Sequence, residues 1–149
     1  MFAQVSLDTV PKPETITEQL LSSIAANPLF EDVNANGRHA IVRVMYEETF
    51  AAGADIIHQG DEVANKFYVI TSGTCSVFKG EGGGEEAEIG ELNAGESFGE
   101  LALMYNAPRA ATIKAKNAVV CWVMERKPFA VLKVCLLYTS DAADDVVGV

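Results

Sequence analysis

Histidine and cysteine are scarce in this chain of 149 residues. It has two histidines, His39 and His58, and three cysteines, Cys75, Cys121 and Cys135. A zinc-type centre needs several imidazole, thiolate or carboxylate ligands close together, and neither histidine stands in such a cluster. Three unpatterned cysteines do not make a disulfide framework, and they favour a reducing compartment. The sequence therefore predicts neither a metal site nor a disulfide-stabilised scaffold.

Basic residues and long apolar runs are also few. The chain has 11 Lys and Arg against 21 Asp and Glu, which gives a net charge of −10. Nucleic acids and anionic membranes both require a basic face, so neither is an expected partner. No apolar run approaches the roughly 18 residues of a membrane-spanning helix, and the first ten residues lack the pattern of a signal peptide. We therefore expect a soluble, cytoplasmic protein.

Residues 98–112, FGELALMYNAPRAAT, combine a glycine, an acid, an apolar run and a Pro-Arg pair. Gly99 allows a backbone conformation or a close approach that a Cβ would prevent. Good helix formers follow over residues 100–104, so we expect one or two helical turns with an exposed N-terminus. The amides of Leu101 and Ala102 would then be unpaired first-turn donors. Together with the helix dipole they favour an anion of phosphate size.

Two charged side chains flank this predicted anion site. We expect Pro108 to end the helix, and Arg109 follows it, so that its fork of donors can bind two oxygens of the anion. Glu100 would repel the same anion, and we therefore assign it to a hydroxyl group of the ligand. Taken alone, Glu100 is also an ordinary first-turn acid and Arg109 an ordinary surface charge. Their order and spacing with the glycine and the proline favour a binding site.

The rest of the sequence divides into a predicted helical part and a predicted β-strand part. After a lead-in over residues 1–13, residues 14–46 predict two amphipathic docking helices. The first starts at Thr15 with Glu18 completing a capping box, and Asn36 caps the second.

Residues 47–125 alternate short β-type runs with glycine-containing turns, which predicts an antiparallel β-roll or barrel. A further helix starts over residues 126–134. The predicted strands are 48–51, 55–58, 67–72, 74–79, 85–90, 111–115 and 119–125.

The run 98–112 closely resembles the phosphate-binding cassette of cyclic-nucleotide-binding domains, most closely that of the regulatory subunits of cyclic-AMP-dependent protein kinase. The phrases IHQGDE, residues 57–62, and FYVITSG, residues 67–73, are similar to the β-roll of this family. The turn NPLF, residues 27–30, is similar to its N-terminal helical bundle. The resemblance covers about residues 29–133.

This resemblance implies an α+β, mainly β, fold: an antiparallel β-roll or jelly-roll barrel with an N-terminal helical bundle and a truncated C-terminal helix. The cyclic-nucleotide-binding domain would span residues 14–134. By the same resemblance Glu100 holds the ribose 2′-hydroxyl and Arg109 the cyclic phosphate. Relatives that prefer cyclic GMP have Thr or Ser directly after the arginine, whereas this chain has Ala110, so cyclic AMP is the expected ligand and cyclic GMP the alternative. The implied ligand-binding residues are Phe98, Gly99, Glu100, Leu101, Ala102, Pro108, Arg109, Ala110 and Ala111.

The implied function is that of a sensor without enzymatic activity, which regulates a kinase catalytic subunit or a catalytic domain. A regulatory subunit also carries an inhibitor segment with paired basic residues, but the four arginines here are scattered singly. The N-terminal sensor of a cyclic-GMP-dependent protein kinase is therefore an alternative.

Other classes have less support. A cupin-type metalloenzyme would need more imidazoles, and a nucleophilic enzyme would need a base beside Cys75 or Cys121. A sensor fold that has lost its ligand is opposed by the presence of both Glu100 and Arg109.

Residues 135–149, CLLYTSDAADDVVGV, depart from the family pattern. Relatives continue the last helix into a hinge or lid helix that closes over the base. Here the run resembles the translation of a transposon-end sequencing adapter read through in frame. We expect this segment not to belong to the natural protein, and the alternative is a divergent acidic tail.

Overall fold

The computed structural model describes residues 9–62, 64–81, 85–104 and 108–134. Within these ranges the chain forms three α-helices, two single 3-10 turns and eight strands. The helices are α1 (Glu14–Ala26), α2 (Ala35–Val44) and α3 (126–134), and the 3-10 turns are Pro28–Phe30 and Glu100–Leu103. The strands are β1 (Tyr46–Phe50), β2 (Asp55–Ile57), β3 (Lys66–Ser72), β4 (Thr74–Lys79), β5 (Ala87–Asn93), β6 (Ser97–Phe98), β7 (Thr112–Ala115) and β8 (Val119–Glu125).

The strands form two four-stranded antiparallel sheets, with the orders β1-β8-β3-β6 and β2-β7-β4-β5. The mixed fold with an antiparallel β-roll that the sequence predicts is thereby confirmed. The described strands stay in two separate sheets and do not close into a barrel. The binding segment 98–112 connects one sheet to the other, because it runs from β6 to β7.

Alternate side chains of the central strands β3 and β8 face opposite sides of their sheet, as the pleat requires. Two hydrophobic cores result. The core between this sheet and the helices contains Phe67, Val69, Trp122 and Met124 from these strands. The core between the two sheets contains Tyr68, Ile70, Cys121 and Val123 from the same strands.

The helices cover the outer face of the β1-β8-β3-β6 sheet. Helices α1 and α2 contribute the buried side chains of Leu20, Ile24, Ile41 and Val42. The ring of Phe30, in the first 3-10 turn, lies 5.3 Å from that of Phe67 and 5.7 Å from that of Phe129, which belongs to α3. The predicted docking helices are therefore confirmed. None of the helices in the described ranges is long and apolar enough to cross a membrane.

The start of α1 differs from the prediction. The helix begins at Glu14 with Pro13 as its N-cap residue, and no side chain caps it. The predicted capping box of Thr15 and Glu18 is therefore wrong. Pro13 has φ −58°, which is close to helical, and Glu14 places a carboxylate in the first turn, where the helix dipole favours it.

The start of α2 and the bounds of β5 also differ from the prediction. Asn34 rather than Asn36 caps α2, since its side chain accepts a hydrogen bond from the amide of Gly37 at 2.8 Å. Asparagine is a favourable N-cap residue at either position, so capping propensity alone does not tell which of the two caps the helix. The strand predicted over residues 85–90 lies at Ala87–Asn93, because pairing with β4 sets its register.

Four parts of the predicted organisation lie outside the described residues: residues 1–8 of the lead-in, the glycines at 82–84, residues 105–107 of the binding segment, and the segment 135–149 with Cys135. In the part of the chain that is described, Cys75 and Cys121 are buried free thiols. The same residues contain no group of three or more His, Cys, Asp or Glu side chains placed to hold a metal ion.

Candidate functional site

The predicted binding segment leaves β6 through a residue in the left-handed conformation. Gly99 has φ +81° and is the N-cap of the second 3-10 turn. A Cβ at this position would lie 2.9 Å from Nη1 of Arg109 and 2.9 Å from the carbonyl oxygen of Lys66. Glycine is therefore required here both by the backbone conformation and by the close approach of the guanidinium group.

The helix expected after Gly99 is a single 3-10 turn. It ends at Leu103, well before Pro108, so the proline is not what ends it. The amide of Ala102 donates to the carbonyl oxygen of Gly99 at 3.0 Å and is not the unpaired donor that the sequence predicts. A 3-10 turn closes its hydrogen bonds one residue earlier than an α-helix, which satisfies this amide. Among the described residues the amide of Leu101 has no hydrogen-bond partner.

An open cavity of about 250 Å³ lies over this turn. Its volume is slightly below the usual range for small-molecule sites, about 300–1,000 Å³. Eight of the nine predicted site residues line it, together with three that the sequence did not indicate. The lining residues are Ile57, Ala64, Gly99, Glu100, Leu101, Ala102, Pro108, Arg109, Ala110, Ala111 and Ile113.

Phe98 is the predicted site residue that does not line the cavity. Its side chain is buried in the core between the sheets. It stacks on Tyr68, with 4.9 Å between the ring centroids and 13° between the ring planes. The structure therefore places Phe98 behind the segment as packing.

Arg109 lines the cavity and is half-buried, and a backbone carbonyl group of the protein holds its guanidinium group. Its Nη2 donates to the carbonyl oxygen of Lys66 at 2.9 Å. No carboxylate of the described residues lies within ion-pair distance of it. Burial lowers the pKa of Arg109, and the nearby Tyr68 and Asp61 act in the opposite direction. A guanidinium ion stays charged at neutral pH, so Arg109 offers a charged donor group to an anion in the cavity.

Glu100 contributes an acceptor to the same cavity. It is half-buried, and its carboxylate forms no ion pair with the residues that the structure describes. An ionised carboxylate can only accept hydrogen bonds, so its natural partner is a hydroxyl or amine donor. The cavity thus has an acidic acceptor and a cationic donor group on one short segment.

The three lining residues that the sequence did not indicate make an apolar wall. Ile57 and Ile113 are register partners across the β2–β7 pair, so both side chains point to the same side. Ala64 lies just before β3. The exposed Leu101, with 62% of its surface accessible, adds apolar surface at the mouth. A ligand with one apolar face, one hydroxyl donor and one anionic group would match this lining.

Residues 47–133 match the sequence profile of the cyclic nucleotide-binding domain. This match covers more than half of the chain, and the chain belongs to the cyclic nucleotide-binding domain family. Over 132 residues it is 38% identical to the cAMP-dependent protein kinase regulatory subunit of Candida albicans. That alignment covers 85% of this chain but 28% of the relative, so the chain spans less than a third of that protein's length.

Solved structures that share the fold include two with different ligands. One is the regulatory domain of Toxoplasma gondii PKA with cAMP, at 30% identity and a TM-score of 0.72, covering 92% of this chain and 52% of that one. The other is the regulatory subunit of a cAMP-independent protein kinase A from Trypanosoma cruzi bound to guanosine, at 26% identity and a TM-score of 0.72, covering 87% and 44%. Equal TM-scores with different ligands mean that the fold alone does not distinguish these ligands.

Proposed function

We propose that this chain is a cyclic-AMP-binding sensor module of a cAMP-dependent protein kinase regulatory subunit. The observation that carries the proposal is the pairing of Glu100 and Arg109 at one cavity, each without an ion-pair partner in the described residues. Arg109 offers a charged donor and Glu100 a charged acceptor, and neither is engaged in an ion pair with the described residues, so both remain available to a ligand.

Each group of the cavity has a counterpart on the ligand. The Arg109 guanidinium binds two oxygens of the cyclic phosphate, which a planar fork of donors does better than a point charge. The Glu100 carboxylate accepts a hydrogen bond from the ribose 2′-hydroxyl. The apolar wall of Ile57, Ala64 and Ile113 receives the uncharged part of the nucleotide.

The downstream role follows from the relatives. The Candida albicans relative is named as a kinase regulatory subunit, and the Toxoplasma gondii structure is described as a PKA regulatory domain with cAMP. We therefore assign the chain a non-enzymatic role: it binds the nucleotide and passes the signal to a kinase catalytic subunit. No metal or other cofactor is needed for this role.

A second ligand class deserves a place in the test, because a related fold binds guanosine. A nucleoside has no phosphate, and a site for it gains nothing from Arg109. Cyclic GMP carries the phosphate and differs from cyclic AMP in the base. Ala110 lines the cavity, and its methyl side chain has no hydrogen-bonding group for a guanine amino group.

Isothermal titration calorimetry of the chain with cyclic AMP, cyclic GMP and guanosine tests the proposal. We expect saturable binding of cyclic AMP, weaker binding of cyclic GMP and no comparable binding of guanosine. Tighter binding of guanosine than of cyclic AMP would overturn the cyclic-nucleotide assignment. Preference for cyclic GMP would instead favour the sensor domain of a cyclic-GMP-dependent protein kinase.

A further inference from the structure

The backbone of Arg109 is fixed by the loop between β2 and β3. The amide of Gly60 donates to the carbonyl oxygen of Arg109 at 2.9 Å, and the amide of Arg109 donates to the carbonyl oxygen of Asp61 at 3.0 Å. Within the loop the amide of Asp61 donates to the carbonyl oxygen of His58 at 3.1 Å. These two hydrogen bonds hold the peptide groups on both sides of the Arg109 Cα, so they fix the backbone of this residue. The direction of the guanidinium group therefore depends on where this loop lies.

Gln59 attaches the same loop to the neighbouring strands. Its side-chain Nε2 donates to the carbonyl oxygen of Gly80 at 2.8 Å, and its Oε1 accepts from the amide of Gly80 at 2.8 Å. Its own amide donates to the hydroxyl of Thr112 at 2.8 Å. Gly80 directly follows β4 and Thr112 is the first residue of β7, so one residue connects the loop to two paired strands.

The Thr112 hydroxyl uses both of its hydrogen-bonding roles. It accepts from the Gln59 amide and donates to Oε2 of Glu86 at 2.5 Å. Thr112 is fully buried, so water does not compete for these bonds. The position of the Gln59 backbone is therefore fixed by a hydroxyl group whose own orientation is fixed. Gln59 itself is not among the residues that line the cavity.

We propose that Gln59 is a positioning residue, which aims Arg109 at the anionic group of the ligand through the Gly60–Asp61 loop. This inference rests on the proposed function, because it assumes an anionic group at Arg109. Gln59 does not contact the ligand. It acts by holding the one loop that hydrogen-bonds to both backbone polar groups of Arg109.

The first test compares two glutamine variants. Gln59→Ala removes both side-chain bonds to Gly80, and cyclic-AMP affinity should fall by about 2- to 13-fold, the range for one neutral hydrogen bond. Gln19→Ala is the matched control. The Gln19 side chain, on α1, donates to the carbonyl oxygen of Thr71 at 3.3 Å and has no connection to the loop. It should leave the affinity unchanged, and equal losses in the two variants would overturn the proposal.

A double-mutant cycle with Arg109 separates positioning from general stabilisation. If Gln59 acts through Arg109, Gln59→Ala should cost less than about 2-fold in an Arg109→Ala background. An equal cost in both backgrounds would show that Gln59 acts on something else. Gln59→Met keeps the approximate length of the side chain but makes neither bond to Gly80, so it should lose about as much affinity as Gln59→Ala, and it serves if the alanine variant does not fold. Wild-type chain that fails to bind cyclic AMP would overturn the proposed function itself.

Discussion

The Glu100 carboxylate accepts hydrogen bonds and lies at the cavity close to a cationic group. If it binds the ribose hydroxyl, Glu100→Ala should lower the affinity for cyclic AMP by about 13- to 160-fold, the range for a hydrogen bond to a charged group. Glu100→Gln should keep part of the affinity, because its carbonyl oxygen still accepts. Competition against a fluorescent cyclic nucleotide measures both.

The matched ligand for this test is 2′-deoxy cyclic AMP, which lacks the hydroxyl. It should bind more weakly than cyclic AMP to the wild-type chain, and Glu100→Ala should remove most of that difference. If the two ligands differed by the same large factor in both proteins, the assignment of Glu100 to the 2′-hydroxyl would be wrong.

Ala110 determines the preference for the base in our account. Ala110→Thr places a hydroxyl at the cavity, where the exposed residue has room for it. Binding of cyclic GMP should strengthen by about 2- to 13-fold, the worth of one neutral hydrogen bond, while cyclic AMP changes little. Ala110→Val has nearly the same shape without the hydroxyl and is the control. An equal gain in cyclic GMP affinity with valine would exclude a hydrogen bond as the cause.

At the scale of the element, the segment from β6 to β7 depends on Gly99. Gly99→Ala forces an L-residue into positive φ and places a Cβ 2.9 Å from the Arg109 guanidinium. Gly53→Ala is the control, since Gly53 also has positive φ, +88°, but has open space around the added Cβ. Both variants should lower the melting temperature through backbone strain. Only Gly99→Ala should also lower cyclic-AMP affinity, by about 10-fold or more, because Arg109 has to shift.

Thermal melting and titration of the two glycine variants measure these effects separately. Wild-type affinity in Gly99→Ala would mean that the guanidinium adapts without loss. The close approach of Gly99 to Arg109 would then be irrelevant to binding.

Local sequence signals predicted this segment well. The glycine predicted a backbone conformation or a close approach that a Cβ would prevent, and Gly99 shows both. The spacing of Glu100 and Arg109 predicted that both would reach one site, and both line one cavity. The type of turn was not predictable, because the same helix formers suit a 3-10 turn and an α-helix. Because the turn is of the 3-10 type, the Ala102 amide donates to the carbonyl oxygen of Gly99 and is not free for a ligand.

The parts of the site that depend on distant contacts were missed. Ile57 and Ile113 meet only because β2 pairs with β7, and nothing near either residue reveals that pairing. Ala64 lines the cavity because of where the chain lies just before β3, which its own sequence neighbours do not reveal. The caps of α1 and α2 failed for a different reason. At α2 two asparagines of similar capping ability compete, whereas α1 begins at Glu14 after Pro13 and has no side-chain cap.

At the scale of the whole molecule, the core between the two sheets keeps Cys75 and Cys121 out of contact with solvent. Burial raises the pKa of the Cys75 thiol to about 11 and that of the Cys121 thiol to about 12, from an ordinary value near 9.0. The unfolded chain therefore releases these protons near pH 9, while the native protein keeps them up to about pH 11 to 12.

This difference makes stability depend on alkaline pH. The contribution of the two thiols is fully present below pH 9 and is lost as pH rises through 11 to 12. Between pH 8 and pH 10 the free energy of unfolding should fall by about 1 kcal/mol for each thiol. Urea denaturation at several pH values measures this. A double variant with Cys75→Ala and Cys121→Ala should show a smaller fall, and an equal fall would assign the effect to other groups.

The central proposal is that the cavity binds a cyclic phosphate through Arg109. The most direct test is calorimetric titration of cyclic AMP into the wild-type chain, Arg109→Lys, Arg109→Ala and the control Arg43→Ala. Arg43 is an exposed residue of α2 outside the cavity, so its removal changes the net charge by the same amount. Loss of one partner of a buried charge pair costs about 2 to 5 kcal/mol, so Arg109→Ala should bind about 30-fold to several-thousand-fold more weakly. Arg109→Lys should fall between this variant and the wild type, because a point charge replaces the two-pronged contact. Arg43→Ala should bind as the wild type does, whereas wild-type affinity in Arg109→Ala would contradict the account.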